Sequence, residues 1–429
     1  MPEHRSSPGV AAPPRTVGFL GVALLPVNGM IGAGIFALPA ALVGAVGGFA
    51  PWQILIGGFV FLPLVLTFAW LAAHFEGSGG PVLFGKTAFG PFLGFQAGWA
   101  RYAAGTVAVA ANTHVMVSYF AALFPVLANP VLHSAAVVLV ITGLTLLCIL
   151  GMRQSVAALG VLTALKLLPL VALVLSAALG SYRSIPFVLP EFSQVESVLL
   201  LSFYAFIGFE TATMPAGEMR RPKRDLPRAL VTMLAMVTLI YMAVIWAFGV
   251  IAPEASESGN ALADAAMVSL GPIGSLAIVL AAGFSIAANT LQGIVAIPRM
   301  AFGMAEEGML PAWFGRVNPR WLTPANAILC YGGLAALFSL WGGFAVLAAA
   351  STLTRLLTYL VSAAALPVIE RRRGITRRLH SAMALLAVCL SCWVASHASA
   401  LSWMIFAALV ALGTLLYFLA QRAVGPAAA

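Results

Sequence analysis

Charge is the scarcest resource of this sequence: only 8% of its 429 residues are Asp, Glu, Lys or Arg. A soluble globular domain carries about 25%, and a water-facing surface cannot be built from so few. Histidine is rarer still, at six residues, and neither His114 nor His133 has an acidic neighbour. A membrane-embedded enzyme would need His, Asp, Ser or Cys converging on one face, and no such cluster is visible. The four cysteines (Cys148, Cys330, Cys389, Cys392) all sit inside apolar runs. They read as small core residues, not as disulfides or metal ligands. Cys389 and Cys392 lie three apart without a second cysteine pair, so no metal and no cofactor is expected. Strand-length alternation is missing too, which excludes a β-barrel. No filter sequence or charged ring repeats along the chain, as a channel would usually require.

What is present is apolar length. Hydrophobic residues make up 62% of the chain, in runs exceeding the ~20 residues that cross a bilayer core as a helix. Twelve spans are expected, near 17–43, 50–73, 90–124, 131–151, 155–179, 196–217, 227–251, 270–300, 323–341, 344–368, 380–398 and 400–420. The third and eighth exceed one crossing and are expected to tilt strongly. The first sixteen residues are polar and proline-rich, and the apolar run after them is too long for a signal peptide. They read as a disordered cytoplasmic tail, and residues 421–429 as a second cytoplasmic tail.

The net charge of +9 invites a nucleic-acid reading, but its placement argues against one. With the N-terminus inside, the internal loops receive Lys86, Arg153, the 220–228 cluster, Arg299, Arg316, Arg320 and the 371–378 cluster; the external loops receive only Arg183. That asymmetry follows the positive-inside rule and puts both termini of a multi-pass cell-membrane protein in the cytoplasm. Two internal loops look structured: residues 74–89, rich in glycine, and residues 304–324, rich in turn chemistry.

Two spans are interrupted. The first contains Asn28-Gly29-Met30-Ile31-Gly32-Ala33-Gly34, and each glycine weakens a helix by about 1 kcal/mol relative to Ala. Close helix packing through small residues is one reading; an unwound segment is the other. The sixth span favours the second reading, because in Phe203-Tyr204-Ala205-Phe206-Ile207-Gly208-Phe209-Glu210 a glycine stands two residues before a carboxylate. Unwound backbone at that depth must face protein or a wet cavity, where its half-helix ends can hold a carboxylate or an ammonium. Interruptions five spans apart place the two halves in opposite orientation, the inverted-repeat logic of secondary transporters.

Charge deep in the spans marks further candidates. Lys166 lies eleven residues beyond Ser155, about 16 Å along the fifth span. Gly32, Gly208, Glu210 and Arg355 fall at similar depth, and Arg101 lies nearer the cytoplasmic side. Each is a functional group or a structural charge pair. A carboxylate at that depth is a candidate proton sensor, so Glu210→Gln is expected to alter pH dependence more than folding. His114 and His397 read as packing residues.

These residues resemble a known family. Gly32-Ala33-Gly34-Ile35-Phe36 with Leu38-Pro39 is similar to the broken-helix motif of the amino acid–polyamine–organocation transporters. Residues 205–210, followed by Glu218, Pro222-Lys223-Arg224-Asp225 and Pro227-Arg228, resemble that family's sixth span and basic loop. Residues 299–311, Gly79-Gly80-Pro81, Gly98-Trp99 and Lys166 match other parts of its pattern, while Ala33 stands where the family often has Ser.

The resemblance implies an all-α membrane protein with a LeuT-type fold. Five-helix repeats over 17–179 and 196–368 would be inverted, with two more helices over 380–420. It also implies alternating access around an amino acid. The substrate α-carboxylate is then expected at the N–H groups of Ile31, Gly32, Ala33 and Gly34, and the α-ammonium at carbonyls of Ala205, Phe206 and Gly208. Phe203 and Phe209 are candidate gates or packing residues. Lys166, Glu210 and Arg355 are the coupling or gating candidates, with Lys166 as a tethered cation that replaces sodium, Ser285 and Thr290 beside it, and either proton coupling or exchange as the mechanism. The Ala, Gly, Val and Leu surroundings lean toward a neutral amino acid; Glu210 keeps a cationic amino acid, polyamine or other organic cation open.

Overall fold

The computed structural model describes residues 13–121, 123–182, 186–191, 193–195, 202–203, 205–254, 260–340, 344–398 and 400–424, without the side chains of 344–354, 401–402, 405 and 422–424. The described regular structure is helical apart from one isolated parallel bridge between Val17 and Met219. In chain order the helices are α1 (Phe19–Met30), α2 (Gly34–Val46), α3 (Ala50–Ala72), α4 (Pro81–Phe89), α5 (Pro91–Ala121), α6 (Pro130–Ile149), α7 (Met152–Leu179), α8 (Pro222–Ile251), α9 (Ala261–Glu306), α10 (Ala325–Ser339), α11 (Phe344–Arg372), α12 (Arg378–Ser396) and α13 (Ala400–Val424).

Local chemistry sets several of these limits. Asn129 caps α6: its side chain accepts from the N–H groups of Val131 and Leu132, and Pro130 pre-sets the first turn. At α9, Gly271 takes φ 71° and ψ −166°, and Pro272 follows, so this 46-residue element is two helices joined at a corner. The corner falls at the start of the expected eighth span, so the span's extra length lies in the helix after it, which runs over residues 272–306. The third span, α5, is continuous over 31 residues. At ~1.5 Å per residue it runs about 46 Å, against a core of ~30 Å. The start of the sixth span, residues 196–201, and Tyr204 lie outside the described residues, as does Arg183.

Among the described residues, six stretches have the length and hydropathy to cross a membrane: Gly34–Ala72, Pro130–Ile149, Met152–Leu179, Pro222–Ile251, Ala261–Glu306 and Arg378–Ser396. The helices carrying Arg101 and Arg355, α5 and α11, are outside that set. Burial on α7 shows how a span is oriented. Ser155, Leu159, Thr163, Lys166, Leu170 and Leu173 face the protein, while Val161, Leu168, Val171 and Leu175 are exposed. The three-and-four spacing is that of a helix face, but the outward side is as apolar as the inward one, as in a bilayer-facing helix.

α9 packs along α5 and α7, α11 along α5, and α1 and α2 along α8. The basic end of this bundle is laced shut. Val17 N–H donates to Glu218 O at 3.1 Å and Arg220 N–H to Val17 O at 2.9 Å, tying the chain before α1 to the end of span six. Arg15 (3.3 Å) and Lys223 (2.9 Å) both reach Glu76, Lys86 pairs with Glu307, and buried Arg299 pairs with Glu218.

The Glu76 latch should be pH-dependent. The hydrogen bond from Lys223, then that from Arg15, holds its carboxyl below the ordinary value, against the opposing pull of partial burial. A depressed carboxyl pKa stabilises above the ordinary carboxylate range and loses that contribution as pH falls through the folded value. Glu76 and Lys223 are about half exposed, so Glu76→Gln is expected to lower stability at neutral pH by less than ~1 kcal/mol. The difference in thermal melting from wild type should shrink as pH falls below the ordinary carboxylate range and vanish once pH passes the lowered folded value. A gap that widens on acidification would contradict the latch.

Candidate functional site

The first span stops at Met30. Ile31 is extended, with φ −90° and ψ 90°, and α2 begins only at Gly34. The sixth span is also unwound: residues 205–208 form turns, 209–213 and 216–218 are 3-10, and Gly208 has φ 112°. That dihedral favours glycine. The two breaks touch. A Cβ on Gly29 would fall on the carbonyl oxygen of Gly208, and a Cβ on Gly208 on that of Gly29.

Breaking α1 orphans carbonyls that neighbouring helices then satisfy. Lys166 of α7, fully buried, donates from Nζ to Ile31 O at 2.7 Å. Ser285 of α9 donates to Gly32 O at 2.9 Å and reaches Ile31 O at 3.2 Å. One turn further along α9, Asn289 Nδ2 lies 2.9 Å from both Asn28 O and Gly29 O, and its Oδ1 accepts from Asn112 Nδ2 of α5 at 2.9 Å. Thr290, on another face, has no partner for its hydroxyl among the described residues. The N–H groups of Gly32 and Ala33 reach no backbone carbonyl among the described residues, whereas Ile31 N–H still bonds Val27 O.

Glu210 is fully buried and ties three elements together. Its Oε1 accepts from Arg101 Nε of α5 at 3.2 Å; its Oε2 accepts from Tyr359 OH of α11 at 2.8 Å and from Gly208 N–H at 3.1 Å. A buried carboxylate with this many donors is an electrostatic knot as much as a titrating group. Removing one member of a buried pair strands the other, typically at ~3–5 kcal/mol. Glu210→Gln is therefore expected to lower the melting temperature of the purified protein markedly, where the sequence suggested a selective change in pH dependence. Unchanged melting with a flattened pH–transport profile would restore the proton-sensing role.

The aromatic candidates point elsewhere. Phe203, Phe206 and Phe209 cluster on Phe61 of α3, and Phe209 also meets Phe68 and Tyr359. These rings are buried on the α3 side of span six, and Ala205 is buried as well. On its other side, beside Gly29 and Gly208, lies a cavity of about 30 Å³. Its lining includes Arg101, Asn112, Thr211, Asn289, Gln292 and Arg355. Of the expected site residues, Gly208 and Arg355 line it; Ile31–Gly34 are not among its lining residues, and the Asn289 side chain abuts Gly32. The amides Asn112, Asn289 and Gln292 were overlooked in the sequence. Their signal was available as carboxamides inside apolar helices, where polar groups are placed only when they have a partner. A larger groove, about 780 Å³, runs along exposed apolar residues of α6 such as Val131 and Leu139 and ends at Leu340; it faces the bilayer side of the bundle.

His114 and His133 pair with each other: His114 Nδ1 and His133 Nε2 are 3.2 Å apart. The four cysteines are free, and among the described residues no group of three or more His, Cys, Asp or Glu could hold a metal.

An unwound crossing of two helices, braced by a buried lysine and enclosing a polar cavity within apolar helices, defines a membrane carrier. Residues 17–422 match the family model described as amino acid permease, and the chain belongs to that family, within the amino acid–polyamine–organocation superfamily. It is accordingly a multi-pass amino acid transporter, not an enzyme, and membership implies the LeuT-type fold. Uncharacterised transporters of Mycobacterium tuberculosis and Mycobacterium bovis are each 29% identical over 331 residues, covering 75% of this chain and 73% of the relative. The branched-chain amino acid permease BcaP of Bacillus subtilis is 24% identical over 343 residues, covering 75% of this chain and 74% of the relative.

Proposed function

We propose that this permease is a secondary active carrier that moves an amino acid by alternating access without sodium, as a proton-coupled transporter or an exchanger. The observation that carries the reading is the Lys166 ammonium on Ile31 O, with Ser285 on Gly32 O. A cation anchored to α7 satisfies carbonyls that would otherwise be free to coordinate an ion. Inverted five-helix repeats over 17–179 and 196–368, two added helices over 380–420 and cytoplasmic termini complete the proposal, supported by the paired breaks and the loop charges.

In the same reading the substrate carboxylate meets the N–H groups of Gly32 and Ala33, and its ammonium meets carbonyls of 205–208. A cavity of about 30 Å³ holds about one water, so the bundle must open before an amino acid can enter. The laced basic end makes the opposite end the expected entrance in this conformation. The name of the Bacillus subtilis relative supports an amino acid as cargo. A polyamine or other organic cation is the second reading, resting on Glu210; Arg101 and Tyr359 already engage that carboxylate, which favours the amino acid.

Purified protein in sodium-free liposomes, offered a panel of labelled amino acids and a polyamine, tests the proposal. Saturable counterflow of at least one amino acid is expected; a strict sodium requirement would refute the tethered-cation reading.

A further inference from the structure

The cavity between the two breaks is electrically unbalanced. Arg101 and Arg355 both line it, close enough to oppose each other's charge. Arg101 gives Nε to Glu210, but its Nη1 is buried without an acceptor among the described residues. Arg355 Nε is likewise buried and unpartnered, and no carboxylate of a described residue pairs with it. Glu210, the carboxylate at hand, already takes Arg101, Tyr359 and the Gly208 N–H. Two guanidiniums therefore stand against one carboxylate, which engages only Arg101, and the amides and hydroxyl completing the lining are neutral.

A third unpartnered donor stands nearby. Tyr331 OH of α10 is buried without a partner, and a Cβ on Gly105 would come within 2.9 Å of both Tyr331 OH and Arg101 Nη1. Absence of a side chain at Gly105 thus lets two idle donors approach one another, beside Ile297 and on the cavity's edge. Idle donors and excess positive charge in one buried place are what an incoming anion would satisfy. Arginine suits a planar carboxylate better than lysine does, because its fork offers parallel N–H groups.

A neutral zwitterion brings one charge of each sign and leaves the surplus untouched. A dicarboxylic amino acid brings a net negative charge and cancels it. We propose that this cavity receives the side-chain carboxylate of an acidic amino acid, with Arg355 and Arg101 Nη1 as its cationic partners and Tyr331 OH as a further donor. This deepens the amino acid carrier reading and rests on it. It replaces the lean toward a neutral side chain, which came from the apolar composition of the spans rather than from the groups lining the cavity.

The test uses the full chain in proteoliposomes, with counterflow of labelled L-aspartate, L-glutamate and L-leucine. Wild type is expected to exchange an acidic amino acid at least about tenfold faster than leucine, since buried donors left unpaired penalise the wrong substrate. Arg355→Gln should reduce acidic exchange at least about tenfold, with Arg355→Lys retaining more than the Gln variant because it keeps the charge. Thermal stabilisation of the detergent-purified proteins by the same amino acids reads binding separately from transport and shows whether each variant is folded. Leucine exchange without acidic exchange in wild type would overturn the acidic side chain while leaving the carrier intact. Undiminished acidic exchange or binding in folded Arg355→Gln would overturn the role of Arg355. Failure of every amino acid to exchange would overturn the carrier reading. The anion site would then fall too if aspartate and glutamate gave no stabilisation, and stand if they gave one that Arg355→Gln abolished.

Discussion

Replacing Lys166 with alanine is expected to cut sodium-free amino acid uptake into proteoliposomes roughly 10- to 100-fold. The ammonium donates to Ile31 O at 2.7 Å inside a fully buried environment. A hydrogen bond to a charged group contributes about 1.5–3 kcal/mol, and each ~1.4 kcal/mol is tenfold in an equilibrium. Ser285 remains on Gly32 O, so the break should persist with one anchor fewer, and the population of correctly crossed helices should fall. Two mechanisms separate here. If Lys166 carries the coupled proton, substrate-driven proton movement should vanish in Lys166→Ala while substrate still stabilises the purified protein. If it only braces an exchanger, counterflow should fall and no substrate-driven proton movement should be measurable even in wild type. Wild-type uptake rates in Lys166→Ala would discard both.

An equally large loss is expected from Gly208→Ala. At φ 112° an alanine is strained, by about 1–3 kcal/mol, and its Cβ would also strike the Gly29 carbonyl. A backbone atom cannot step aside as a flexible side chain can, so the two breaks must separate. Transport should fall to background even where the protein still assembles in the membrane. Gly271→Ala is the matched control: φ is 71°, yet a Cβ there has open space within 4 Å. It carries backbone strain without collision and should retain most activity. Equal losses in both variants would show that strain, not the contact between spans, is what matters.

Much of this architecture is legible in the sequence. Long apolar runs point to multiple membrane helices, the glycines of 29–34 to the first interruption, and Gly208 two residues before Glu210 to the second, because helix length and helix weakness are local properties. Lys166 could be matched to the first break by counting residues from the start of its span, since rise per residue is fixed. Which way a side chain faces was not local. In α7 the outward Leu and Val are as apolar as the inward ones, so hydropathy cannot distinguish lipid from protein. That is why Phe203, Phe206 and Phe209 read equally well as gates and as packing, and why Asn112, Asn289 and Gln292 did not read as neighbours. The Arg101–Glu210 pair was hidden for the same reason: 109 positions separate its members in sequence.

The last helix is bound to the third span by polar contacts as well as packing. Trp99 Nε1 donates to Leu409 O at 2.8 Å, Gln96 Nε2 donates to Thr414 Oγ1 at 2.8 Å, and Gly413 lets the Trp99 ring lie against its backbone. Trp99 and Gln96 sit two and five residues before Arg101 on one rigid helix. A shortened chain ending after α12 would thus do more than lose an outer segment. It would leave an indole and a carboxamide facing hydrocarbon, on the same rod that holds the guanidinium against Glu210. Membrane-topology reporters fused at that point would record insertion of a damaged protein; those fused beyond Val424 keep the clasp whole.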